Sequence, residues 1–83
     1  MSDVEIYGPT NCGFCRSAIW LCKKYDMTYT YKNTTYTNFR TELYERLGKP
    51  SEEYPQIWIQ DKHVGTYNDL LTYTVKMVIE KYG

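Results

Sequence analysis

Two cysteines separated by two residues, Cys12-Gly13-Phe14-Cys15, stand directly after a short apolar strand signal and directly before an amphipathic helix signal. Val4-Glu5-Ile6-Tyr7 reads as the strand, Gly8-Pro9-Thr10-Asn11 as a turn, and Arg16 to Tyr25 as the helix. A helix N-terminus favours negative charge, so it stabilises the first thiol as a thiolate. Two thiols one helical turn apart can close a disulfide and open it again. The arrangement describes a thiol–disulfide exchange site. It also constrains the fold, because the chain must pass from a strand through a turn into a helix at the thiols.

With 83 residues the chain is expected to form one domain spanning residues 1–83. A domain this small buries a modest share of its surface. Large side chains compensate: ten Tyr, two Trp and two Phe supply much buried area each. Basic and acidic residues balance at ten each, so no basic excess points to nucleic acid. Met1-Ser2-Asp3-Val4-Glu5 lacks a basic region followed by an apolar stretch, and no signal peptide or membrane span is read. Three cysteines is an odd count, which argues against a fully paired secreted framework. A cytoplasmic location fits, and there a CxxC is catalytic or metal-binding more often than structural.

Ala18, Leu21, Cys22 and Tyr25 recur at helical spacing in the first helix, with Ile19 widening the stripe and Asp26 ending it. Thr28-Tyr29-Thr30-Tyr31 is β-branched and aromatic and predicts a second strand. Lys32 to Thr37 reads as a loop and Asn38 as the N-cap of a second helix carrying Phe39, Leu43 and Leu47. Gly48 stands where a C-cap glycine belongs, with Pro50 beyond it. Gln56-Ile57-Trp58-Ile59 predicts a third strand. Gln60 to His63 turns the chain into a short fourth strand at His63-Val64. After the Gly65-Thr66-Tyr67 loop, Asn68 or Asp69 is expected to cap a last helix with an apolar stripe of Leu71, Val75, Val78, Ile79 and Tyr82. The order is β-α-β-α-β-β-α, an α/β fold. The first half implies a right-handed parallel crossover and the second an antiparallel hairpin. A mixed four-stranded sheet flanked by three helices satisfies both.

Taken together, Ile6-Tyr7, Asn11-Cys12-Gly13-Phe14-Cys15, Tyr54-Pro55-Gln56-Ile57-Trp58-Ile59 and His63-Val64-Gly65-Thr66-Tyr67-Asn68-Asp69-Leu70 resemble the pattern of a glutaredoxin over nearly the whole chain. The length is similar to that of compact dithiol glutaredoxins of bacteria and their phages, with a thioredoxin-like fold. Four stretches depart from the family pattern. Gly13-Phe14 replaces Pro-Tyr, Pro9 stands where the family has a lysine, Tyr54 replaces Val before the proline, and Gly65-Thr66 replaces paired glycines. These positions bear on glutathione contact and partner range.

The resemblance implies a glutathione-dependent dithiol–disulfide oxidoreductase acting on protein disulfides and on mixed disulfides with glutathione, with ribonucleotide reductase as one client. Cys12 is the candidate nucleophile and Cys15 the resolving thiol that releases a mixed disulfide as an internal Cys12–Cys15 bond. Cys22 lies on the apolar stripe seven residues beyond Cys15. That is about 10 Å along a helix axis, too far for a disulfide, so it reads as a buried structural cysteine. The resemblance implies that Pro55 is cis and faces the thiols, and that the Tyr54 backbone receives the substrate main chain. The Tyr54 ring either lines the cleft or stands aside. It further implies that Tyr67, Asn68 and Asp69 bind the γ-glutamyl end of glutathione, where a helix N-terminus presents free N–H groups. Simple N-capping is the other reading of Asp69, and both can hold. Tyr7 either packs in the core or leads toward the site. Phe14 is read as an exposed apolar docking surface and His63 as a surface residue.

Rival readings differ in electron source or cargo. The same fold fed by thioredoxin reductase is one. A [2Fe-2S] cluster shared between two subunits, with glutathione completing the ligands, is another. Gly13 leaves room for such a cluster, whereas Cys15 favours redox use. Structural zinc sites commonly draw on two CxxC-like pairs, whereas this chain has one pair, one helical cysteine and one histidine, which argues against a zinc site. The protein is expected to be a monomer.

Overall fold

The computed structural model describes residues 3–82, with elements β1 (Val4–Gly8), α1 (Gly13–Lys24), β2 (Tyr29–Asn33), α2 (Thr37–Leu47), β3 (Gln56–Ile59), β4 (Lys62–Gly65) and α3 (Tyr67–Tyr82). The order matches the expected one. The four strands form a single mixed sheet in the order β2-β1-β3-β4. β1 pairs with β2 in parallel, Val4 opposite Tyr29 and Gly8 opposite Asn33. β3 runs antiparallel to β1, Ile6 opposite Ile57, and β4 antiparallel to β3.

Strand alternation divides the core between the two sheet faces. Val4, Ile6, Ile57 and Ile59 meet Ala18, Leu21 and Cys22 of α1 and Leu70 of α3 on one face. Tyr7 and Trp58 meet Leu43 of α2 on the other, with the Tyr7 and Trp58 rings edge-on at 5.3 Å. Each fully buried aliphatic side chain contributes roughly 1.5–3 kcal/mol of transfer free energy. Tyr7 is therefore a core residue, and its hydroxyl is tied into a charged network. It donates to Glu42, and Arg46 Nη1 donates to it at 2.9 Å. Lys32 Nζ bridges Glu5 at 3.0 Å and Glu42 at 2.7 Å, and Arg46 reaches Glu5 at 2.9 Å. This network fastens α2 to β1 and β2.

Several boundaries differ from the sequence expectations. α1 begins at Gly13, not Arg16, because Cys12 itself caps it. β2 runs on through Lys32 and Asn33, which the polar sequence reads as loop; their backbones pair with Tyr7 and Gly8, and the Glu5 and Glu42 carboxylates satisfy the Lys32 ammonium. α2 starts at Thr37 from Tyr36 with no side-chain cap, so Asn38 lies inside the helix rather than before it. Gly48 ends α2 in the left-handed conformation as expected, its N–H donating to the Tyr44 carbonyl at 2.8 Å. The β3–β4 turn is made by Gln60 and Asp61, both at positive φ, which extends β4 to Lys62–Gly65.

The register of α3 is the clearest correction. Leu70 and Thr74 are fully buried, whereas Leu71, Val75 and Ile79 are 38%, 49% and 61% exposed. A polar letter occupies the buried row because the Thr74 hydroxyl donates to the Leu71 carbonyl at 2.7 Å and so carries no unmet polar group inside. The Tyr82 side chain, assigned to the apolar stripe by periodicity, lies outside the described residues. Among the described residues no helix is long and apolar enough to cross a membrane.

Candidate active site

The end of β1 delivers the chain to a tethered turn and then to α1. Tyr31 Oη donates to the Gly8 and Pro9 carbonyls, each at 2.9 Å. Thr34 N–H also donates to Gly8 O at 3.0 Å. Thr10 is held by Asn33 Nδ2 at the end of β2, at 2.7 Å, and by Thr35 in the connection that follows. The segment preceding Cys12 is thus fastened to β2 and the connection that follows it. Nothing in the sequence pattern singles out Tyr31, Asn33 or Thr35 for this task, since each reads as an ordinary strand or loop residue.

Cys12 is the N-cap of α1, with extended backbone at φ −111° and ψ 107°. Its sulfur accepts the Cys15 N–H at 3.1 Å, and its carbonyl accepts the Arg16 N–H at 3.2 Å. A disulfide joins Cys12 to Cys15, whose Cα atoms are 5.2 Å apart. Cys12 is half-buried, while Cys15 is 2% exposed. Exchange chemistry from outside therefore meets Cys12 first. No acidic side chain lies in the first turn of α1 to oppose a thiolate. Cys22 is wholly buried, and burial pushes its thiol up to about 11. It stays protonated at neutral pH and takes no part in the pair.

The Tyr54–Pro55 peptide is cis, and Pro55 is buried at the head of β3. Tyr54 approaches Cys15. An ideal Cβ at Gly8 would stand 3.8 Å from Tyr54 Cβ and would press on Cys15 from the same point. The Tyr54 ring packs against the Tyr7–Leu43–Trp58 cluster, and it also lines the open cleft, so it serves both surfaces. Burial and then a hydrogen bond with Tyr44 raise its phenol above the ordinary value.

A cleft of about 430 Å³ runs from the cysteine motif to the start of α3, walled by Phe14, Tyr54, Thr66, Tyr67 and Asn68. Phe14 is 61% exposed and its ring lies 5.6 Å from that of Tyr67, so the two aromatics form one continuous wall. Glu52 and Glu53 complete the lining. Their carboxylates were not singled out in sequence, because the Ser51-Glu52-Glu53 stretch reads as a solvated loop.

Asp69 does not line this cleft. Its carboxylate turns back on the helix start, accepting the Thr66 N–H at 2.9 Å and the Thr66 hydroxyl at 3.3 Å. Thr66, not Asn68 or Asp69, is the capping residue, and its carbonyl accepts the first helical bond from Leu70. From the third helical position Asp69 thus satisfies the Thr66 N–H, one half of a capping box. Gly65 makes this possible: at φ 126°, any Cβ there would fall 2.2 Å from Asp69 Oδ2. His63 is exposed on β4, its ring 4.5 Å from that of Trp58 and its Nε2 2.8 Å from Gln56 Oε1.

Among the described residues no group of three or more His, Cys, Asp or Glu stands together as a metal site. A shared cluster would have to draw its other ligands from a second chain and from glutathione.

A cysteine pair at a helix start, with a cis proline at the head of β3 on this sheet order, belongs to the thiol–disulfide oxidoreductases of the thioredoxin-like fold. Residues 4–64 match the family model described as Glutaredoxin. Glutaredoxin 1 of Escherichia coli (strain K12) is 33% identical over 70 residues, covering 77% of this chain and 82% of that protein. The chain belongs to the glutaredoxin family. The solution structure of reduced Escherichia coli glutaredoxin superposes with a TM-score of 0.73 at 28% identity, over 90% of this chain and 95% of the other. The buckwheat glutaredoxin–glutathione complex shares the fold, with a TM-score of 0.72 at 16% identity over 92% of this chain and 71% of that one.

Proposed function

We propose that residues 1–83 form a single glutaredoxin domain acting as a glutathione-dependent dithiol oxidoreductase, with Cys12 as nucleophile and Cys15 as resolving thiol. One observation carries the reading: the more accessible sulfur sits on the α1 N-terminus with a backbone N–H directed at it. As a thiolate, Cys12 attacks a substrate disulfide, forming a Cys12–substrate bond and expelling the first substrate thiolate. Cys15 loses its proton to solvent and attacks the Cys12 sulfur. The mixed disulfide breaks, the internal disulfide forms, and the second substrate thiolate leaves and takes up a proton. Two glutathione molecules then reverse the sequence and leave as glutathione disulfide.

The cleft beside Phe14 is the proposed seat of glutathione. Tyr67 and Asn68 supply its wall, Asp69 acts at the α3 start, and the Tyr54 main chain before cis Pro55 pairs with the cysteinyl backbone, an extended-strand mode of recognition. The buckwheat protein of the same fold has been solved in complex with glutathione. Ribonucleotide reductase is the client suggested by the family resemblance, and the protein works as a cytoplasmic monomer.

A second reading has its own support. Glu52 and Glu53 face a cleft that would take an anionic tripeptide, and Pro9 stands where the family lysine would offset them. Those charges oppose an anionic tripeptide, and thioredoxin reductase is then the alternative electron source. Steady-state turnover of a small mixed disulfide, coupled to NADPH through glutathione and glutathione reductase, separates the two. Robust turnover that vanishes in Cys12→Ser supports the first reading. No turnover from folded, reduced protein, with turnover restored by thioredoxin reductase, supports the second.

A further inference from the structure

Gly8 closes β1, and the Cys15 sulfur occupies the space that a side chain at position 8 would need. An ideal Cβ on Gly8 would stand 2.1 Å from Cys15 Sγ and 3.6 Å from Cys15 Cβ. The first distance is far inside van der Waals contact. The backbone has little freedom to retreat. Gly8 pairs with Asn33 in the parallel ladder, and its carbonyl is gripped by Tyr31 Oη at 2.9 Å and Thr34 N–H at 3.0 Å. Conformation is not the reason for glycine here, because Gly8 is extended and the described glycines at positive φ are Gly48 and Gly65.

We propose that Gly8 is a positioning residue for the Cys12–Cys15 couple: its bare Cα forms the notch that admits the Cys15 sulfur in the oxidised state and so makes the protein a stronger reductant. This rests on the resolving role proposed for Cys15. In the disulfide, Cys15 Sγ is bonded to Cys12 and cannot swing away from position 8. In the dithiol, the bond to Cys12 is gone and the sulfur can take another staggered rotamer about its Cα–Cβ bond. A methyl group at position 8 therefore penalises the oxidised form more than the reduced form. The resolving step is affected in the same sense. Attack by Cys15 on the Cys12–substrate disulfide forms the internal bond and releases the substrate thiolate, and its product needs the sulfur in the notch.

The test is the thiol–disulfide equilibrium of Gly8→Ala in glutathione redox buffers, read by acid trapping and mass spectrometry. The dithiol is expected to gain at least tenfold over the disulfide, about 30 mV toward a more oxidising couple. Protein-disulfide reduction is expected to fall at least fivefold. In a Cys15→Ser background, deglutathionylation through Cys12 alone is expected to change less than twofold on adding Gly8→Ala. An equilibrium constant within twofold of wild type overturns the proposal, as does an equal loss of activity in both backgrounds.

Stability gives an independent arm. Gly8→Ala is expected to lower the melting temperature of the oxidised protein and to leave that of Cys15→Ala unchanged, since the obstructing sulfur is then gone. If Gly8→Ala folds in neither background, the specific conflict with Cys15 is refuted. Failure of the underlying functional reading has a different signature: Cys15→Ser would then retain full protein-disulfide reduction whatever stands at position 8.

Discussion

The Cys12 sulfur lies 3.1 Å from the Cys15 backbone nitrogen and accepts its hydrogen bond. The residue proposed to resolve the mixed disulfide thus also stabilises, through its main chain, the thiolate that forms it. Because the donor is a backbone group, it survives any substitution of the Cys15 side chain. The rate of Cys12 alkylation by iodoacetamide in Cys15→Ser is expected to titrate below the range of an ordinary thiol, because the helix start and the Cys15 N–H favour the thiolate. A midpoint at or above about 8.5 would mean the helix start does nothing for this thiol.

Asp69 accepts the Thr66 N–H at the start of α3 and is proposed to contact glutathione. Asp69→Ala leaves the Thr66 N–H without its partner, and the expected loss is about 0.5–2 kcal/mol in denaturant unfolding. The KM for glutathione is expected to rise severalfold. A stability loss with unchanged KM would leave Asp69 as a structural partner of Thr66 alone.

The acidic lining makes a prediction of opposite sign. Glu52→Gln and Glu53→Gln are expected to improve kcat/KM for glutathionylated substrates severalfold at low ionic strength, with the gain shrinking as salt screens the charges. A salt-independent change would point to shape rather than charge.

Stability should fall in acid through the Glu5 and Glu42 network. Burial raises the Glu5 carboxyl, but hydrogen bonds from Lys32 and Arg46 outweigh it, and the net position is below the ordinary 4.5. Glu42 is likewise lowered, by Lys32 and Tyr7 against burial. Folded values below unfolded ones mean a stabilisation fully present above the unfolded value and lost as pH falls through the folded values. Urea midpoints are expected to drop progressively below about pH 4.5 and to flatten in Glu5→Gln. A Glu5→Gln profile identical to wild type would remove this network as the cause.

The sequence carries the fold well where local chemistry and tertiary packing agree. The order of elements, the Gln56–Ile59 strand and the Gly48 cap are readable from period and turn chemistry. It misleads where a long-range partner rescues a residue of the wrong type. Lys32 joins a strand because Glu5 and Glu42 receive its charge, and Thr74 enters the core because a helix carbonyl takes its hydroxyl. The cysteine pair was legible because its chemistry is local. The Gly8 notch and the Tyr31 clamp were not, because each depends on chain segments distant in sequence meeting at one point.

The central claim is that Cys12 is the attacking sulfur. Its most direct test is the mass and peptide map of Cys15→Ser after a brief exposure to glutathione disulfide at neutral pH. The account predicts one glutathione per chain, on the peptide carrying Cys12, with Cys22 unmodified because burial keeps its thiol protonated and out of reach. A label on Cys22, or a chain that remains unlabelled while folded, would contradict it.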